Sequence, residues 1–166
     1  FHQFYGYKRA TRLLYESKRS EEGFLEYQQW LGFSKDALRS STYESIKDLE
    51  QYYRAFGLYN AGEMDAALKQ LEIYFTTDRE ATSSVNTLKA RILLESGRNQ
   101  EAVDIFETMD NLNYYDQYWY ARSLLATDQK TKAIEMLKRI ANTNEINDID
   151  LALVRKKSKQ LYLDNI

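Results

Sequence analysis

The stretch Leu88–Met109, LKARILLESGRNQEAVDIFETM, decides the fold class of this chain. Ala90 and Ala102 stand 12 residues apart on either side of Ser96-Gly97-Arg98. Leu93 follows Ala90 by three, Phe106 follows Ala102 by four, and Met109 lies three further on. Residues three and four apart share one face of a helix, and small side chains are needed where two helices cross closely. The stretch therefore reads as two helices folded back on each other, with Gly97 where the first must end in a left-handed residue.

The same arrangement recurs on both sides. Tyr53–Phe75 reads YRAFGLYNAGEMDAALKQLEIYF, and Tyr120–Ile140 reads YARSLLATDQKTKAIEMLKRI. Small residues Ala55 and Ala121 are each followed after three by Leu58 and Leu124, and after 12 by Ala67 and Ala133. Leu71 and Leu137 then match Phe106, while Tyr74 and Ile140 match Met109. The late alanines recur after 35 residues and then 31. Gly62 occupies the slot of Gly97, and Asp128 occupies it in the third copy, a residue that tolerates the left-handed region less well than glycine. One hairpin cannot bury its apolar stripe alone, so such units stack, and about three are needed for stability.

Outside these copies the pattern is looser. Residues 2–17 and 20–32 read as a divergent hairpin with Gly23 at its late small position, and 33–40 as a loop or single turn. Ser41-Thr42-Tyr43-Glu44 has the spacing of a capping box that starts the helix running to Asn60. The expected organisation is one domain over 1–166. It comprises an N-terminal hairpin and connection at 1–40, repeats at 41–80, 81–111 and 112–142, and a closing helix in 143–166 that is apolar inside and charged outside.

Composition agrees with an all-α chain. It contains no Pro, where average usage predicts roughly eight, and only 6 Gly among 166 residues. Pro breaks helix interiors, and its absence suits continuous helices. The net charge of −2 and pI near 5.6 give no footprint for nucleic acid. The basic run Arg155-Lys156-Lys157-Ser158-Lys159 lies among Asp148, Asp150 and Asp164 and reads as a solvated helix face. No stretch approaches the ~20 apolar residues of a membrane span. With no Cys and a single His, His2, neither thiol chemistry, a hydrolase triad nor a His-based metal site is expected. No phosphate-cradling glycine loop occurs, and acid pairs such as Asp148/Asp150 and Glu21/Glu22 read as surface charges near helix starts. The chain is not expected to be an enzyme, and no cofactor is expected.

The residues of the three copies resemble the tetratricopeptide repeat, over roughly residues 48–141. That family carries a small residue at its eighth position, Gly near the fifteenth, Ala at the twentieth and a large apolar residue at the twenty-fourth. Ala55, Gly62, Ala67 and Leu71 match in the first copy, and Ala90, Gly97, Ala102 and Phe106 in the second. Ala121, Ala133 and Leu137 match in the third. The family's aromatic fourth position is Gln51, Asn86 and Gln117 here, and its closing Pro is absent, which marks a divergent member.

The resemblance implies a right-handed α-solenoid of antiparallel hairpins, about nine helices in all, that binds a protein or peptide in its concave groove. In the family, the first helix of each hairpin lines that groove. The corresponding residues are Tyr52, Phe56 and Tyr59 in copy one, Thr87 and Arg91 in copy two, and Tyr115, Tyr118 and Arg122 in copy three. Tyr and Arg are enriched at binding hot spots, and the paired Arg91 and Arg122 suit an acidic segment. Two alternatives stay open: both arginines pair with Glu95 and nearby acids, and the aromatics fill the core. The family's carboxylate-gripping variant places Lys where Tyr52, Thr87 and Tyr118 stand, so that activity is not expected. Rival functions are a spacer or self-assembly module with a filled groove and, third, an RNA-binding helical repeat. The chain begins at Phe1 and reads as a processed or excised form; the family's habits lean toward a bacterial envelope or periplasmic protein.

Overall fold

The computed structural model describes residues 51–75, 82–144 and 149–166, together with the isolated Glu22. Every regular element among the described residues is an α-helix. In chain order these are α1 (51–60), α2 (Met64–Phe75), α3 (Ser83–Glu95), α4 (Asn99–Glu107), α5 (Tyr114–Leu125), α6 (Lys130–Ala141) and α7 (Ile149–Leu163). The expected hairpin over 2–32, the connection at 33–40 and the capping box at Ser41 lie outside the described residues, apart from Glu22, which is helical and exposed. The described residues hold seven helices, and the expected count of about nine extends into residues outside them. The chain divides into two compact units, Phe1–Ala81 and Thr82–Ile166.

The three turns that the sequence marked are built alike. Gly62, Gly97 and Asp128 have φ of 85°, 76° and 58°. This left-handed residue lets the next amide turn back onto the preceding helix. The amides of Glu63, Arg98 and Gln129 donate to the carbonyls of Leu58, Leu93 and Leu124 at 3.0, 2.9 and 2.9 Å. The second helix then starts at once, with Ala67, Ala102 and Ala133 donating to the carbonyls of Glu63, Arg98 and Gln129. One repeated leucine therefore packs through its side chain and closes the turn through its backbone.

In the first unit, Ala55, Ala67 and Leu71 are fully buried, with Tyr53 nearly so. In the second, Ala90, Ala102, Ala121 and Ala133 are all at zero exposure, and Phe106, Leu124, Leu137 and Ile140 fill the space they leave. Helix α3 packs on α4 and α5 on α6, while α4 also meets α5 and α6 meets α7. The first helices of successive hairpins touch as well, α3 against α5 and α5 against α7. Side-chain caps begin α3 and α5: Thr82 accepts from the Val85 amide and Asn113 from the Asp116 amide. The link between the hairpins turns at Asn111, φ 54°.

Candidate partner-binding face

The contact of α3 with α5 gathers four of the residues that the repeat register singled out. Arg91 on α3 donates to the Tyr115 hydroxyl on α5. Its guanidinium carbon lies 4.4 Å from the centroid of the Trp119 ring and 5.7 Å from that of Tyr115. Arg122, one turn beyond Trp119 on α5, places its own guanidinium carbon 4.6 Å from the Trp119 centroid. Tyr118 meets the same indole edge-on at 5.6 Å. Two cations on one ring are held by its quadrupole, and the indole is the strongest aromatic partner for this contact.

The charge balance follows from that geometry. Arg122 reaches Glu95 at 3.5 Å, with about a third of each side chain in solvent, an exposed pair of small energetic weight. The alternative in which the arginines pair with Glu95 and nearby acids is met by Arg122, and Arg91 also meets Tyr115 and Trp119. Tyr115 is 40% exposed, and Tyr118, Arg91 and Arg122 are half-buried.

Thr87 lies elsewhere. It is 2% exposed, and its hydroxyl donates to the Asp116 carboxylate at 2.6 Å. Ser83 donates to the other carboxylate oxygen at 3.1 Å. Thr87 thus serves the seam between α3 and α5 and not an open surface. Tyr52, Phe56 and Tyr59 form a ladder of ring contacts along α1, at 6.1 and 6.3 Å, and are half-buried within the first unit.

Sequence reasoning missed Asp116 and Trp119 as organisers of this face. Asp116 sits three residues after Asn113, a spacing that signals only a local helix start, and its carboxylate binds the neighbouring helix. Trp119 was one aromatic in a run of five, with no positional signal of its own. A second cluster ties α4, α5 and α6 together. The buried Tyr120 stacks on Phe106 at 5.4 Å and donates to Glu107, while Lys132 donates to Tyr120 and pairs with Glu107 at 3.3 Å. The Tyr120 hydroxyl, and after it Glu107, holds the Lys132 ammonium above its ordinary range.

Among the described residues no group of three or more acids or histidines could hold a metal ion. No helix among them is long and apolar enough to cross a membrane. No family model, no curated protein and no solved structure matches the chain.

Proposed function

We propose that the chain is a divergent tetratricopeptide-type repeat protein, a right-handed α-solenoid whose concave face holds a peptide or a segment of a partner protein. The observation that carries this reading is the cluster of Arg91, Tyr115, Tyr118 and Arg122 around Trp119, on the helices that open successive hairpins. Contact with the indole holds both guanidinium groups in place in advance, which lowers the ordering cost of binding. Two guanidinium groups held on one face suit the planar, two-bond recognition of a carboxylate, so the reading favours an acidic segment. In this reading no catalysis is involved.

The test is a selection of random displayed peptides on the wild-type chain, followed by titration of the selected peptides against the Tyr118→Ala, Arg122→Ala variant. Peptides enriched in Asp and Glu that lose affinity for the variant support the reading. Peptides that bind both proteins equally refute it. The buried Thr87–Asp116 contact favours one element of the rival spacer reading, since it fills part of the expected groove from within. Sedimentation separates the two, because a spacer that assembles through this face gains mass with concentration and a peptide binder does not.

A further inference from the structure

Helix α7 has two unlike sides. Val154 and Ser158 are buried inward, where the helix packs on α6 and α5, and Arg155 donates to the Ala141 carbonyl at 3.2 Å. A closing helix that only shields its neighbours needs a polar outside. Here Leu153 and Leu163 remain 50% and 51% exposed. Leu153, Lys156, Gln160 and Leu163 follow at intervals of three, four and three, the spacing of a seam in which two helices pack side by side. Lys157 and Lys159 fall at the positions that flank such a seam on its two sides. None of Lys156, Lys157 and Lys159 makes an ion pair among the described residues.

We propose that this outer face of α7 docks one amphipathic helix of a partner protein. The partner's apolar side chains meet Leu153 and Leu163, and its Glu or Asp residues lie opposite Lys157 and Lys159. Charge selects that occupant. Three lysines within about one turn, without an ion pair among the described residues, attract an acidic helix, and like charges on equivalent flanks oppose pairing of α7 with the α7 of a second copy. A lipid surface is the poorer fit, because insertion needs a continuous apolar face, whereas a partner helix can meet Leu153 and Leu163 separately across the seam. This site is separate from the α3–α5 face and does not depend on the reading given to it.

The experiment uses two synthetic peptides of three heptads, each with Leu along the seam. One has Glu at all flanking positions and the other Lys; the like charges keep each peptide from pairing with itself. Fluorescence anisotropy against the full chain at low salt is expected to show binding of the Glu peptide, weakened by added salt, and about tenfold weaker binding of the Lys peptide. The Lys157→Glu, Lys159→Glu double variant is expected to reverse that preference, and Leu153→Ser, Leu163→Ser to weaken the Glu peptide. All four positions are exposed, and far-UV circular dichroism of the variants checks that the helices persist. Equal affinity for the two peptides, no binding of the Glu peptide, or an unchanged preference in the charge-reversed variant overturns the proposal. So does binding to phosphatidylserine vesicles, or concentration-dependent dimerisation, that the same α7 variants abolish.

Discussion

Thr87 and Asp116 join neighbouring hairpins through a 2.6 Å hydroxyl-to-carboxylate hydrogen bond, with both residues 2% exposed. Ser83 supplies a second donor. A carboxylate buried here is tolerated because hydroxyls replace the water it loses. Asp116→Ala leaves the Thr87 hydroxyl buried without its acceptor and is expected to cost about 1–3 kcal/mol. Thr87→Val, which removes one donor of two, is expected to cost less. Urea midpoints order the variants, and an Asp116→Ala protein as stable as wild type contradicts the account.

The turn residues give a prediction of opposite signs. Space is open around Gly97, since an added Cβ meets nothing within 4 Å. Gly97→Ala therefore isolates backbone strain at φ 76° and is expected to destabilise by about 1 kcal/mol. Asp128 already bears that strain, so Asp128→Gly is expected to be neutral or stabilising by up to about 1 kcal/mol. Thermal melts of the two variants should move apart; movement in the same direction would contradict equivalent turns.

Close helix crossing at Ala102 predicts an asymmetric response to added bulk. Ala102 has no exposed surface, and Ala102→Leu is expected to cost about 1–3 kcal/mol through overpacking. The exposed Lys69 offers the control: Lys69→Leu is expected to stay within about 0.5 kcal/mol. Denaturant midpoints decide, and equal midpoints would mean that the assigned register is wrong.

Lys132 predicts a loss of stability on the alkaline side. Its ammonium is raised above the ordinary 10.5 chiefly by the hydrogen bond to Tyr120, which outweighs burial, with a lesser contribution from Glu107. A group raised on folding contributes in full below its unfolded value and loses that contribution as pH rises through the folded one. Half the Lys132 side chain is in solvent, so screening keeps the effect within the about 0–1 kcal/mol of exposed pairs. The stability gap between wild type and Lys132→Met is expected to be level in neutral solution and to narrow above the ordinary lysine range. Urea melts at stepped pH check it; a gap that widens there excludes the mechanism.

The hairpins were legible in the sequence because their determinants are local. Ala90, Gly97 and Ala102 each answer to the turn or crossing in their own segment, and the three copies supplied a cross-check. The α3–α5 face was legible only by position. The resemblance placed Arg91, Tyr115, Tyr118 and Arg122 along an expected groove, and the structure gathers them around one indole. It could not show that Thr87 would be covered, because that depends on a carboxylate 29 residues away. Asp116 was hidden for the same reason: its spacing from Asn113 states a local role and its partners are distant. The closing helix, expected to be apolar inside and charged outside, half-buries Leu151 and Leu161 but leaves Leu153 and Leu163 exposed, which composition alone does not distinguish.

The placement of Trp119 also makes the chain its own optical gauge. Only two tryptophans are present, Trp30 and Trp119, so Trp30→Phe leaves a single indole emitter. That emitter is nine-tenths buried and has two guanidinium groups stacked within 5 Å of its ring. Any event that draws Arg91 or Arg122 aside changes the electric field across the indole and hence its emission colour. Occupancy of the α3–α5 face can therefore be followed without a dye.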